Sequence, residues 1–162
     1  RYTKELLKEI NDDADRALAG EFFKNYSDAE IQASLDRMYP AYADPDQYRN
    51  SPLIEDVAPY VKNPSYLFGS TDVGDASYCC PTAQFNAACY ANGTADHSWQ
   101  ATAMAGSSIT HKAVACAAAV LALAAVNTME DEELLKKAHE EYVKATGGKY
   151  ICPVGKEAKP RI

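Results

Sequence analysis

Apolar residues recur at three- and four-residue spacing through residues 1–38, a pattern typical of amphipathic helices. One stripe comprises Leu6, Leu7, Ile10, Ala14, Ala17 and Leu18, and a second comprises Ile31, Leu35 and Met38. Gly20 lies in the break between the stripes. Ser27 and Glu30 have the spacing of a capping box, in which a hydroxyl and a carboxylate satisfy backbone amides of the first turn. We therefore expect two helices, the second beginning near Ser27.

Residues 39–64 interrupt this helical pattern. Five prolines fall in the stretch: Pro40, Pro45, Pro52, Pro59 and Pro64. Each proline lacks a backbone donor and restricts the residue before it, so regular structure stops. We expect a long surface connection here.

Beyond this connection the pattern favours short strands. The runs at residues 65–68 and 82–91 are rich in apolar and aromatic residues and lie between turn-forming residues, so both are expected to be buried strands. The polar segment at residues 69–75 would form a loop between them.

Two further helices are expected after the strands. The first is rich in alanine and should open at Ser107 or Ser108 and run to about Val126. The second should open at Asp131, where acidic residues favour the positive end of the helix dipole, and end near Gly147. Because alanine permits close approach, we expect the first of these helices to pack on the strands.

The predicted fold is α/β, a short mixed sheet packed by helices, in one segment. Its parts are a helical region at 1–38, a connection at 39–64, an α/β core at 65–153 and a tail at 154–162. A length of 162 residues, with 47% of them hydrophobic, suits one domain with a core.

Composition excludes some classes of partner and favours one compartment. A formal net charge of -7 lacks the basic surface that nucleic-acid binding requires. The longest uninterrupted apolar run, residues 113–126, is shorter than the roughly 20 residues that cross a bilayer, so no membrane span is expected. Five cysteines without a C-x-x-C pair indicate reduced thiols and a cytoplasmic protein. The absence of an initiator Met suggests a fragment.

His97 is the first candidate for chemistry, because its loop follows a predicted buried strand and a rigid strand can hold an imidazole over a cleft. Asp96 could orient the ring. The simpler interpretation is a surface histidine. His111, near the start of the alanine-rich helix, is equally compatible with a structural and a functional role, whereas His139 has the setting of a solvated helix position.

Two weaker candidates rest on loop chemistry. The segment at residues 69–75 offers backbone amides and hydroxyls to an anion, although an Asp-rich turn bonded to its own backbone is the simpler interpretation. A cysteine nucleophile paired with His97 would use Cys79, Cys80 or Cys89, but no local motif supports it.

Several segments together resemble a known family. They are Gly69-Ser70-Thr71-Asp72-Val73-Gly74-Asp75-Ala76-Ser77, Pro81-Thr82-Ala83-Gln84, Gly93-Thr94, His97-Ser98-Trp99-Gln100 and Ser107-Ser108-Ile109-Thr110-His111-Lys112. In this order they resemble the C-terminal part of the metallopeptidase and amidohydrolase family that includes aminoacylases and carboxypeptidases. The resemblance is strong over residues 57–153 and weak before them.

The resemblance implies a two-lobed enzyme that cleaves an amide bond to an amino acid, in aminobenzoyl-glutamate or a dipeptide-like substrate. Such an enzyme holds two divalent metal ions, zinc or manganese, and carries an inserted lid domain that mediates dimerisation. This chain would be the C-terminal half of its zinc-peptidase-like catalytic domain. The Gly-His and Glu-Glu motifs that supply other ligands and the general base have no counterpart here. The fragment alone is therefore expected to bind metal weakly or not at all and to be inactive.

The partners that the resemblance implies are the missing N-terminal half and lid of the same protein, a homodimer mate or partner subunit, and a small-molecule substrate. It also implies roles for seven residues: His97 as a metal ligand, Gly69, Ser70, Thr71 and His111 in substrate binding, and Asp72 and Asp75 in shaping the site. No catalytic residue lies in this segment. His97, Thr71 and Asp72 are expected to share one concave face. The alternative is a non-catalytic helical interaction domain.

Overall fold

The computed structural model describes residues 10–38, 44–60, 71–152, 154–155 and 157–159. Within these ranges the chain is helical and contains no β-strand. The α-helices are α1 (Asp13–Phe23), α2 (Asp28–Met38), α3 (Val73–Cys79), α4 (Trp99–Ala105), α5 (Ser108–Glu130) and α6 (Glu132–Thr146), and one 3-10 helix spans Pro45–Tyr48.

The predicted α/β fold with a mixed sheet is wrong for the described residues. The run at 82–91 is irregular and, up to residue 88, exposed, and the run at 65–68 lies outside the described residues. Alanine is the commonest residue of the run at 82–91, and Thr82 is its one β-branched residue, so the strand propensity of this run is low. A strand also needs a partner to pair its backbone groups, and the described residues offer none. The expected packing of helix on sheet is therefore absent from the described residues.

The two N-terminal helices begin at identifiable caps. The Asp12 carboxylate accepts from the backbone amide of Asp15, and the Asp15 carboxylate accepts from that of Asp12, both at 3.0 Å. The predicted capping box at the second helix is confirmed, since Glu30 accepts from the Ser27 amide at 2.8 Å and Ser27 Oγ accepts from the Glu30 amide at 3.3 Å. Gly20, expected in the break, lies instead inside α1.

The helix α6 also begins and ends where local signals predicted. The Asp131 carboxylate accepts from the amide of Leu134 at 2.9 Å. Gly147 closes α6 in the left-handed conformation, with φ 75°. This conformation favours glycine because glycine has no Cβ to crowd the following carbonyl oxygen.

Among the described residues, one helix is long and apolar enough by length and composition to cross a membrane. This helix is α5, in which a window of 18 residues has a mean hydropathy of 1.9 and is 11% buried. The helix extends the apolar run at 113–126 in both directions, so it is longer than the sequence run suggested. Core helices of large proteins meet the same criterion, so no membrane location follows from it.

The chain divides into two compact units, Arg1–Tyr66 with Asn86–Leu123, and Leu67–Phe85 with Ala124–Ile162. The first unit contains the hydrophobic core. Its buried side chains come from α1, α2, the loop between them, the connection after α2, the segment before α4, the end of α4 and the start of α5: Ala19, Tyr26, Ile31, Leu35, Leu53, Ala91, Met104 and Ile109.

A buried carboxylate joins α1 to α5 within the first unit. Asp15 is 1% exposed. It lies 2.5 Å from Lys112 Nζ and accepts a hydrogen bond from Ser108 Oγ. Burial alone would raise the pKa of Asp15, but the hydrogen bonds from Lys112, Ser108 and the Asp12 amide outweigh it and lower the pKa to about 2. The ionised carboxylate therefore stabilises the folded chain.

We expect Asp15→Asn to lower the free energy of unfolding by about 2 kcal/mol at neutral pH, because a charge-assisted pair is lost in a buried place. The folded pKa lies below the unfolded value of about 3.9, so the contribution is complete above about pH 4 and disappears towards pH 2. Urea unfolding followed at several pH values would measure both effects.

Asp13→Asn is the matched control, because Asp13 makes an exposed i,i+3 pair with Arg16. Its effect should stay within about 0.5 kcal/mol at neutral pH. Equal losses for the two variants would contradict the role assigned to Asp15.

Candidate functional site

The turn that carries His97 is anchored through one buried side chain, Asn92. Its Nδ2 donates to the carbonyls of Tyr48 and Ser51 at 3.0 and 3.1 Å, and its Oδ1 accepts from Ser34 Oγ at 2.8 Å. Its backbone amide donates to the carbonyl of Pro52 at 2.9 Å. Asn92 therefore fixes the turn to α2 and to the connection after it.

The next two residues are fitted against Tyr26 from the loop between α1 and α2. Thr94 Oγ1 lies 2.7 Å from Tyr26 Oη and donates to the carbonyl of Ala91 at 2.7 Å. Gly93 has φ +93°, and a Cβ there would lie 2.8 Å from Tyr26 Cδ2. Position 93 therefore requires glycine for its backbone angle and for its space.

His97 stands at the exposed end of this anchored turn. It is the non-glycine residue with positive φ among those described, at 58°. Such a conformation is strained for a side chain with Cβ and persists where the surroundings fix it. Arg37 supplies part of that constraint, since its guanidinium donates to the Thr94 carbonyl at 3.4 Å and pairs with Asp96 at 3.7 Å. Asp96, expected to orient the imidazole, therefore has its carboxylate directed to Arg37.

The other side of the turn is closed by the first turn of α4. Ser98 Oγ donates to the carbonyl of Ala95 at 2.7 Å and accepts from the amide of Ala101 at 3.1 Å. Ala101 and Met104 bury α4 in the core. His97 is thus held between two constrained segments while its side chain remains exposed.

The predicted substrate loop differs in structure from the sequence expectation. Gly69 and Ser70 lie outside the described residues. Thr71, Asp72 and Asp75 are exposed, but Asp75 lies in the first turn of α3, so the second half of the expected loop is helical. Asp75 accepts a hydrogen bond from Tyr150 Oη at 3.1 Å. Hydrogen bonding to Cys152, together with the Asp75 charge, raises the pKa of Tyr150, so the phenol remains the donor.

The predicted site residues fall in different units. His97 and His111 belong to the first unit, and Thr71, Asp72 and Asp75 belong to the second. The shared concave face expected for His97, Thr71 and Asp72 stays a prediction. His111 is exposed on the first turns of α5.

The cysteine alternatives find little support. All five cysteines are free thiols. Burial raises the pKa of Cys89, which keeps that thiol protonated at neutral pH and makes it a poorer nucleophile. Cys79 and Cys80 are exposed. They belong to the second unit and His97 to the first, so their pairing with His97 stays a prediction.

The described residues do not by themselves fit a metal centre. No group of three or more His, Cys, Asp or Glu side chains within the described ranges could hold a metal ion. A structural or catalytic zinc needs three or four protein ligands, and His97 offers one nitrogen.

Sequence reasoning missed the residues that hold the turn. In the sequence pattern Asn92 and Gly93 mark only the end of a strand, and nothing connects Arg37 or Tyr26 with His97. One signal was available: the Asn92-Gly93 dipeptide is typical of a tight turn in which glycine adopts a positive φ. The distant partners carry no comparable local signal.

Comparison with known proteins confirms the sequence resemblance. The chain is 37% identical over 115 residues, 70% of its length, to a protein of Escherichia coli strain K12 that is named as one of the subunits of p-aminobenzoyl-glutamate hydrolase. The match covers 24% of that protein, so the chain spans about a quarter of the relative's length. No protein-family model matches the chain. No solved structure matches it either.

We expect Gly93→Ala to lower the free energy of unfolding by about 1–3 kcal/mol, because the added methyl group meets Tyr26 and the positive φ becomes strained. Gly20→Ala is the matched control, since a Cβ there meets nothing within 4 Å. In the interior of a helix this change should leave stability unchanged or raise it by up to about 1 kcal/mol. Thermal unfolding of both variants tests whether position 93 requires glycine. An unchanged stability of Gly93→Ala would refute this requirement.

Proposed function

We propose that the chain is the C-terminal part of a cytoplasmic, metal-dependent amidohydrolase that cleaves an amide bond to an amino acid. The observation that carries the proposal is the 37% identity to a protein named as a subunit of p-aminobenzoyl-glutamate hydrolase. The proposed substrate is p-aminobenzoyl-glutamate or a dipeptide-like compound.

His97 is the residue proposed to bind a metal ion, zinc or manganese, of which the complete enzyme would hold two. Its support is an exposed imidazole on a backbone fixed from several sides. A ligand held in place before the metal arrives loses less freedom on binding. The remaining ligands and the general base would come from outside the described residues, because no group of three candidate ligands lies within them.

The proposed partners follow from the same similarity to the hydrolase subunit. The rest of the same polypeptide, including a lid domain, would complete the site, and a second copy or another subunit would pair with it. Thr71 and the neighbouring Gly69 and Ser70 would contact the substrate's carboxylate, with Asp72 and Asp75 shaping that region and His111 lining the pocket. These roles depend on the resemblance.

One observation favours the alternative, a non-catalytic helical interaction domain. Large apolar side chains on α5 are exposed: Val114, Leu121, Leu123, Val126 and Met129. A group of exposed apolar side chains on one helix is typical of a surface that another protein segment covers. A pure interaction domain would have no use for His97, so the two functions differ in what removal of that imidazole does.

In the complete polypeptide, we expect His97→Ala to lower both bound zinc or manganese and hydrolysis of p-aminobenzoyl-glutamate by at least about tenfold, since a direct ligand is lost. The fold should survive because the side chain is exposed. Elemental analysis, a hydrolysis assay and circular dichroism measure the three quantities.

His139→Ala is the matched control, because this histidine is exposed on α6. Its metal content and activity should equal those of the unsubstituted protein. If His97→Ala keeps full metal content and full activity, the assignment fails and the interaction domain becomes the better proposal.

The isolated 162-residue chain should not hydrolyse p-aminobenzoyl-glutamate when zinc or manganese is added. One candidate ligand cannot hold a metal ion in a catalytic geometry. Product release followed by chromatography tests this, and measurable turnover that depends on added metal would contradict it.

A further inference from the structure

The feature that the proposed function leaves unexplained is Trp99. It is the single tryptophan of the chain and is 71% exposed. Tryptophan is highly buried on average, since its large ring gains much from leaving water. The indole of Trp99 is therefore a large apolar surface that is available for contact with a ligand.

The backbone of Trp99 is fixed. It is the first residue of α4, whose Ala101 and Met104 are buried in the core, and its predecessor Ser98 caps that helix. One side of the indole rests near Phe22 of α1, with ring centroids 6.2 Å apart and an interplanar angle of 41°. Phe22 is itself half-buried against the core. The indole thus has a supported position and a large free surface.

Trp99 lies close to His97, the proposed metal ligand. Trp99 and His97 are two residues apart, so their Cα atoms lie within about 8 Å of each other. Both side chains are exposed, and both leave the same anchored turn. One aromatic amide could therefore place its carbonyl near His97 and its ring on the indole.

We propose that Trp99 is a specificity-determining residue that receives the aromatic acyl group of the substrate, with Phe22 supporting the indole from the other side. This proposal rests on the proposed function. Aromatic rings attract one another in offset-stacked and edge-to-face arrangements beyond what their buried area provides. A benzoyl group would gain this contact, and an acetyl group of the same amino acid would not. The site then selects aromatic acyl groups over aliphatic ones.

The kinetic test uses the complete polypeptide with Trp99→Leu and Trp99→Phe, assayed on p-aminobenzoyl-glutamate and on N-acetylglutamate. We expect Trp99→Leu to lower the ratio of the two kcat/KM values, aromatic over aliphatic, by about tenfold. Trp99→Phe should restore the ratio to within about threefold, because it keeps an aromatic face. A merely structural role would lower both kcat/KM values together. An unchanged ratio in Trp99→Leu overturns the proposal.

A second measurement separates failure of this proposal from failure of the proposed function. The isotope-labelled 162-residue chain has one indole N–H signal in its nuclear magnetic resonance spectrum, because it has one tryptophan. Trp99→Phe removes that signal and so verifies its assignment. Titration with p-aminobenzoyl-glutamate should shift the signal, and the same concentration of N-acetylglutamate should leave it in place.

The outcomes are distinct. Hydrolysis of both substrates with an unchanged ratio, or no difference between the two titrations, refutes the role of Trp99 and leaves the hydrolase standing. A selective shift of the indole signal without hydrolysis by the complete polypeptide supports an aromatic binding site and refutes the hydrolase. Absence of both hydrolysis and selective shift refutes both proposals.

Discussion

The first unit depends on hydrogen bonds from one buried amide side chain. Asn92 uses both donors and its acceptor on groups from α2 and from the connection after it. An unpaired amide in this place would be destabilising by about 1–3 kcal/mol. The turn at Asn92, α2 and the connection after α2 are therefore expected to unfold together. The position of His97 follows from this constraint, because its turn continues directly from Asn92. The backbone of Trp99 is fixed in the same way, because Trp99 begins α4 directly after this turn.

A second polar link joins α1 to α5. Asp15 joins the first turn of α1 to the first turn of α5 through Ser108 and Lys112. Both links use polar groups where apolar packing alone would permit several registers. A buried polar group must meet its partner, so it selects one arrangement of helices. The small core of the first unit thereby gains a unique geometry around the turn.

Local signals were readable in the sequence and long-range ones were not. Ser27 with Glu30, and Asp131 with Gly147, marked helix ends correctly because capping depends on residues three or four positions apart. The strand expected at 82–91 failed because a strand is defined by its pairing partner, which the run itself does not encode. The start of α3 was missed although Asp72 and Asp75 have the acidic character of a first turn. The partners of the Asn92 side chain lie 41 to 58 positions earlier, beyond any local pattern.

The alanine content of α5 has a thermodynamic consequence for whatever surface meets it. Alanine has no side-chain rotamers to lose, so covering this helix removes apolar area from water with almost no loss of side-chain entropy. Alanines also present few protrusions that would fix one register. A partner surface would therefore gain affinity readily and selectivity poorly along the helix. Discrimination between partners would have to come from the few larger side chains, such as Leu121 and Met129, that stand above the alanine surface.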